Sequence, residues 1–341
     1  MSLEKFKEIN FAKIAKRFET YNPLSKLVNT MNIITLDDVT PYFSKDMAKQ
    51  LIWLQGAYSE LNKQRNCGNP FFIHLLRAKI LAQSLGFSNK VQLLSMYHDF
   101  FEDFAINFQV TVNLLKEIPE ELVEPLHALT NNYTPLARQL DAISTNHSAS
   151  AIKKLVLLKY GRIPTLRRVV GRIIEELTLL PDALDGIKHL ERRAYALYIK
   201  DLVEFVEQEN SYETLTAKFI DRLDNTLSDY VQDLKKFKKL YRKNIILFNA
   251  SSELIKKSKN NKLKVLYVIL LERSLGQVRA TIKEYSSLQK ERGTFYGNQY
   301  IHSSEDLSIL EQELKSFEEF AEEFLSLPPV QKIITNLYKT D

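Results

Sequence analysis

The chain has a single cysteine, Cys67, among its 341 residues. That excludes an internal disulfide and a cysteine-rich zinc site. No His–Asn pairing near Cys67 suggests a thiol nucleophile, so it reads as a bystander in a loop. Glycine is scarce at 9 and proline modest at 10. Few breakers among many Leu, Ile, Lys and Glu favour helices, and no run of regularly alternating strand residues is present. No apolar stretch is long enough to span a bilayer. The opening residues 1–18 form an amphipathic helix candidate without the continuous apolar core of a signal peptide. A soluble protein of a reducing compartment, most simply a cytoplasm, is expected.

What is present is ordinary for a globular chain that buries a core: 45% hydrophobic and 26% charged residues. The net charge of +5 is unevenly placed. Lys153, Lys154, Lys159, Arg162, Arg167, Arg168 and Arg172 follow one another without an acid, and Lys235 to Lys243 brings six more cations. Residues 305–323 are mainly acidic. Such runs read first as solvated helix faces. The sharper reading is a basic rim, from Lys153 to Arg172, that attracts a phosphate-rich partner.

The patterns predict an all-α fold. A helical lead covers 1–43, and a helical domain covers 44–132 plus 190–240. A helical insertion occupies 133–189, and a C-terminal helical region 241–341. Within the central domain, Met47, Leu51, Leu54, Tyr58 and Leu61 lie at helical spacing over 44–63. A break follows at 65–70, then a helix from about Phe71 to Leu85 closed by Gly86. Ser88 is positioned to cap a helix running to about Asp103. Two shorter helices are expected over 109–117 and 119–130. Turns are expected at Leu180-Pro181 and Asp185-Gly186, and long helices over 190–207 and 212–240. Beyond 241, helices are expected near 243–258, 261–288 and 304–326.

Three separated pieces hold almost all the candidate ligands. They are Asn69-Pro70-Phe71-Phe72-Ile73-His74, then His98-Asp99-Phe100-Phe101-Glu102-Asp103, then Asp221-Arg222-Leu223-Asp224-Asn225. In one continuous helix Glu102 would lie over His98 and Asp103 over Asp99. Three carboxylates so close repel unless something cationic neutralises them, and a divalent metal does so economically. On the third piece, Asp221, Asn225 and Ser228 fall together beside an apolar face formed by Phe219, Ile220, Leu223, Leu227, Val231 and Leu234. An aspartate at such an edge is costly unless paired or coordinated; a salt bridge to a nearby Lys or Arg is the plainer alternative to a metal.

Together the pieces resemble the HD superfamily, with its pattern H…HD…D. They resemble in particular the hydrolase domain of RelA/SpoT-type enzymes and their stand-alone small relatives. Arg65, Gly68, Pro70, Phe71 and His74 match that group's first segment. His98, Asp99, Glu102 and Asp103 match its second, and Asp221, Arg222, Leu223 and Asn225 its third. The similar stretch covers about 44–132 and 190–240. Asn66 stands where the family usually has a basic residue, and Leu75 where proline is frequent. Phe104-Ala105 replaces a polar continuation, and the segment between the second and third pieces is unusually long. Nothing like the adjoining synthetase domain follows 241.

The resemblance implies a metal, usually manganese, bound by His74, His98, Asp99 and Asp221. Glu102 and Asp103 would orient and deprotonate the attacking water. Arg65 would hold phosphate oxygens, and Asn225 and Ser228 would contact the nucleoside. The implied reaction removes the 3′-pyrophosphate of guanosine tetra- or pentaphosphate. The alternatives are another nucleotide, such as NADPH, or a regulatory binding protein on an HD scaffold. The expected partner is the nucleotide substrate; neither a membrane nor a nucleic acid is expected, and an oligomer is compatible with the sequence. Asp224 reads as a salt-bridge partner, since Asp221 already fills the ligand position. His127 reads as a packed side chain, and His147, His189 and His302 as surface groups.

Overall fold

A computed structural model describes residues 35–62, 70–104, 118–134, 136–137, 171–173, 185–228, 234–292, 304–328, 330–332 and 335. The expectations for the N-terminal lead up to 34, the loop with Arg65 and Cys67, the helix at 109–117 and the cations from Lys153 to Arg168 lie outside these residues. Among the described residues the fold is all-α, without a β-strand. Its helices are α1 (Leu36–Val39), α2 (Lys45–Glu60), α3 (Phe72–Ser84), α4 (Asn89–Tyr97), α5 (Phe100–Phe104), α6 (Glu120–Leu129), α7 (Asp185–Gln208), α8 (Tyr212–Ser228), α9 (Leu234–Lys257), α10 (Asn261–Arg292) and α11 (Ser304–Ser326).

The chain divides into two compact units. The first comprises Met1–Tyr97, Thr216–Asn244 and Lys257–Asp341; the second comprises His98–Leu215 and Ile245–Lys256.

In the first unit α2 packs on α3, α3 on α4, and α10 on α11. Ser44 caps α2, its Oγ accepting from the Met47 N–H at 3.3 Å. The helix buries Ala48, Leu51, Leu54 and Tyr58, while Leu61, expected on that face, lies just beyond the helix and is exposed. Helix α3 is buried almost all round, from Phe72 to Ala82. A helix without a polar face belongs inside a domain. Its end is set by Gly86 at φ +68°. The Gly86 N–H donates to Gln83 O at 2.9 Å and the Phe87 N–H to Ala82 O at 3.0 Å, which is the glycine-terminated helix end the sequence predicts. Lys262 of α10 donates its Nζ to Gly86 O at 2.5 Å. Ser88 caps α4, its Oγ accepting from the Val91 N–H at 3.4 Å.

The helix expected over 88–103 is two helices, with a turn at His98-Asp99. Helix α4 packs on α3 in the first unit and α5 packs on α6 in the second, so the break falls where the chain changes partners. One helical bond survives across the start of α5, from the Asp103 N–H to Asp99 O at 2.9 Å. The stacking of Glu102 over His98 in a single helix therefore does not hold.

Of the expected helix over 212–240, α8 covers Tyr212–Ser228 and α9 the part from Leu234, residues 229–233 lying outside the described residues; α9 continues to Lys257, through the boundary placed at 240 and 241. The C-terminal helices share a core with α8 instead of hanging from it. Phe219 meets Tyr267 edge-on at 5.4 Å, and Tyr267 lies 4.4 Å from Phe324. Burying each such ring contributes about 1.5–3 kcal/mol, so α10 and α11 help hold α8 in place.

In the second unit the predicted turn at Asp185-Gly186 is the first turn of α7. Tyr198 of α7 donates its hydroxyl to Leu129 O at 2.5 Å. Tyr133 donates to Asp201, and Arg172 pairs with Glu204 at 3.0 Å and Asp201 at 3.5 Å. Arg172, the last cation of the proposed rim, is thus engaged with the acids of α7. His127 stacks on Phe101 at 4.2 Å, the packed role expected for it; burial pushes its pKa down and Glu124 partly opposes this.

Two predictions follow from the first unit. A Cβ at position 86 would have to adopt the left-handed conformation, so Gly86→Ala should lower unfolding free energy by about 1–2 kcal/mol, measured by urea denaturation; an unchanged midpoint would contradict it. Lys79 of α3 is buried with its Nζ 3.4 Å above the Phe43 ring and donates to Gln83 Oε1 at 2.8 Å. Burial still pulls its pKa down to about 7, from 10.5. Between those values the unfolded chain holds the proton and the folded chain does not, so stability rises with pH from about 7 to 10.5. Lys79→Met should raise stability below pH 7 and flatten that slope, measured by urea titrations at a series of pH values.

Candidate metal centre

His74 sits in the first turn of α3. The chain enters the helix from Pro70, whose carbonyl accepts from the Ile73 N–H at 3.1 Å; Phe71 O accepts from the His74 N–H at 3.0 Å. Phe71 stacks on Tyr58 at 5.6 Å and meets the His74 ring edge-on at 5.7 Å. The aromatic residues beside His74 therefore act as packing that fixes its ring.

Helix α8 supplies the acids opposite. Asp224, fully buried, accepts from His74 Nδ1 through Oδ2 at 2.7 Å and forms an ion pair through Oδ1 with Arg77 Nε at 2.9 Å. A carboxylate on Nδ1 places the ring proton there and leaves the Nε2 lone pair as the donor. Nε2 faces Asp221 Oδ1 at 3.4 Å. The other Asp221 oxygen holds Lys218 Nζ at 2.8 Å, and Asn225 Nδ2 donates to Asp221 Oδ1 at 2.6 Å. Asp221, His74 and Lys218 are all buried. The salt bridge that the sequence offered as the plainer reading of Asp221 is present.

Sequence reasoning missed the role of Asp224. The salt bridge expected of it exists, but to Arg77, and its second oxygen orients His74. The available signal was spacing: Asp221 and Asp224 lie three apart on a helix, so both reach one partner.

His98 and Asp99 stand at the turn between α4 and α5. His98 is buried, with Nε2 3.2 Å from Asp99 Oδ2. Glu102 is exposed and Asp103 half-buried on α5. Arg65 and the side chain of Ser228 lie outside the described residues. Asn225 touches Asp221.

The donors within the first unit fit a first-row divalent ion: the His74 imidazole lies beside the Asp221 carboxylate, and the orientation of His74 by Asp224 is the arrangement that presents Nε2 to a metal.

Arg222, beside Asp221, is also buried, and its guanidinium is held by α9. Nε donates to Asn244 Oδ1 at 2.8 Å and Nη2 to Leu240 O at 3.3 Å. Asn244 in turn donates to Ser274 Oγ at 2.9 Å and Thr226 Oγ1 at 3.3 Å, and Gln277 Nε2 donates to Thr226 O. This buried polar net ties α8 to α9 and α10. Removing a member strands the others without water.

Comparison with protein-family models, curated proteins and solved structures returned no match.

Asn244→Ala should lower unfolding free energy by about 1–3 kcal/mol, because it leaves the buried Arg222 Nε–H without its acceptor and removes the bonds that Thr226 and Ser274 accept. Urea denaturation measures this; a loss below about 0.5 kcal/mol would mean the net is not cooperative.

Proposed function

We propose that the chain is a metal-dependent phosphohydrolase that removes the 3′-pyrophosphate from guanosine tetra- or pentaphosphate. The observation that carries this reading is the setting of His74, its Nδ1 fixed by Asp224 and its Nε2 directed at Asp221. The family resemblance of the three segments supplies the substrate class. In this reading His74, His98, Asp99 and Asp221 hold a divalent ion, with manganese the first choice. The ion's chemistry is Lewis-acid polarisation of a phosphate and acidification of bound water.

The chain's own residues do the rest. Glu102, exposed on α5, takes the proton of the attacking water, and Asp103 orients that water. The water oxygen forms a bond to phosphorus as the P–O3′ bond breaks, and the 3′ oxygen takes up a proton as the 3′-hydroxyl, giving pyrophosphate and the nucleoside diphosphate or triphosphate. Asn225 steadies Asp221 through its 2.6 Å contact.

A second reading has its own observation. Lys218 on Asp221 and Arg77 on Asp224 balance the two carboxylates of α8 without any metal. On that reading the chain is a binding protein that keeps an HD scaffold as a structural ion-pair network.

One set of measurements separates them. The purified protein, loaded with Mn²⁺ and desalted, is assayed for metal content and for pyrophosphate release from guanosine tetraphosphate, with NADPH and other nucleotides in parallel. The hydrolase reading expects about one metal per chain and turnover. Glu102→Gln should keep the metal and lower kcat by about 10²-fold or more. Asp224→Asn should weaken metal binding by about 10–100-fold. Metal bound without release from guanosine tetraphosphate removes the substrate; no metal bound removes the hydrolase in favour of the ion-pair scaffold.

A further inference from the structure

The register of α3 against α8 sets two residues of one helix against two of the other. His74 and Arg77 lie three apart on α3, and Asp221 and Asp224 three apart on α8. Residues at that spacing are neighbours on a helix surface. His74 meets both acids, Asp224 through Nδ1 at 2.7 Å and Asp221 through Nε2 at 3.4 Å. Arg77 meets Asp224, its Nε 2.9 Å from Oδ1. The Asp224 carboxylate is thus held between two side chains of α3, one at each oxygen. Exposure rises along this row: the Asp224 side chain is 1% exposed, His74 3% and Arg77 27%.

We propose that Arg77 is a positioning residue of the candidate metal centre: paired with Asp224 Oδ1, it fixes the carboxylate that orients the His74 ring, and so keeps Nε2 directed at Asp221 and the metal position.

The argument is one of anchoring. The last torsion of an aspartate is soft, so a carboxylate with one contact can turn about it. A second contact on the other oxygen sets its plane. Asp224 is fully buried, so water does not take the place of the guanidinium. The guanidinium suits the task because it is planar, always charged and attached through Nε close to its own chain. A histidine that ligates a metal depends on the partner of its other nitrogen for its ring plane. Arg77 is the partner of that partner. The inference rests on the metal-dependent reading for its effect on metal affinity; the set of the ring is a property of the protein alone.

Charge and position predict opposite signs. By Coulomb's law alone, removing a cation near a site for a divalent ion strengthens metal binding. Loss of the anchor weakens it. An ion pair with a merely structural role lowers stability and moves neither the ring nor, downwards, the affinity.

The test titrates full-length wild type, Arg77→Met, Arg77→Lys, Asp224→Asn and the Arg77→Met/Asp224→Asn double variant with Mn²⁺ by calorimetry. Urea unfolding of the metal-free proteins runs alongside. In parallel, ring N–H signals are recorded from metal-free protein labelled with ¹⁵N-histidine, the His74 signal being assigned by its loss in His74→Gln. Arg77→Met should weaken Mn²⁺ about tenfold, the low end for an outer partner of a ligating histidine. It should also shift or broaden the His74 Nδ1–H signal. Arg77→Lys, which keeps the charge, should recover most of the affinity. In the Asp224→Asn background, Arg77→Met should cost less than about twofold more, because residues that act through one partner do not add. Should Arg77→Met not fold, Arg77→Gln, equally neutral, reads the same losses. Unchanged or tighter Mn²⁺ binding in the neutral variant overturns the proposal, as does an additive loss in the double variant, whatever happens to unfolding. Wild type that binds no Mn²⁺ sinks the hydrolase reading; the His74 signal then decides the positioning, and an unchanged signal in the neutral variant overturns it.

Discussion

The contact on which the rest depends is the buried bond between His74 Nδ1 and Asp224 Oδ2 at 2.7 Å. It joins α3 to α8 across 150 positions of sequence. Neither group reaches solvent, so neither can recover its hydrogen bond from water if the other leaves. A carboxylate buried this fully is tolerated only when its charge is paired, and Asp224 has His74 on one oxygen and the Arg77 guanidinium beside the other. That double attachment sets the ring plane of His74. The direction of Nε2, and with it every reading of the site, follows from the ring plane.

The bond is only as precise as the position of α8, and α8 is held from its opposite side. Arg222, adjacent to Asp221, reaches Asn244 and the Leu240 carbonyl; Asn244 reaches Ser274, and Gln277 reaches the Thr226 carbonyl. Phe219 and Tyr267 add apolar contact to the same helix. The acids thus engage α3 and the polar net α9 and α10, on a helix with no solvated side between 219 and 224. Helices α10 and α11 have no ligand of their own in this scheme. Their contribution is mechanical, because they close the core against which α8 is fixed.

The local signals were legible in the sequence where one residue type has one physical reason to be there. Gly86 ends α3 because only glycine adopts φ +68° without strain, and Ser88 starts α4 because a hydroxyl can accept from the third N–H. The all-α class followed from the scarcity of breakers. The division at His98-Asp99 was not legible, since Tyr97, Phe100, Phe101 and Phe104 keep helical spacing across it. Only the change of packing partner, from α3 to α6, breaks the helix, and a partner is not visible in a local pattern. The same holds for the C-terminal region. Asn244, Ser274 and Gln277 are ordinary polar residues on amphipathic helices, and their value appears only when Arg222 lies opposite. Of the site, the candidate residues could be picked from sequence, while the assignment of Asp224 to His74 needed two helices in place.

The charge balance on α8 is struck by two cations, one for each carboxylate. Lys218 holds one Asp221 oxygen at 2.8 Å while Asn225 donates to the other, and Arg77 lies 2.9 Å from Asp224 while His74 donates to it. Taking away either cation leaves a buried carboxylate without its counter-charge, which costs more than taking away the pair. Lys218 is itself buried, so the same argument runs in reverse: without Asp221 it is an ammonium with no water to return to. The two aspartates and their cations therefore stand or fall as pairs, and it is this pairing, together with the His74 bond, that holds two carboxylates three residues apart on a helix without a solvated side.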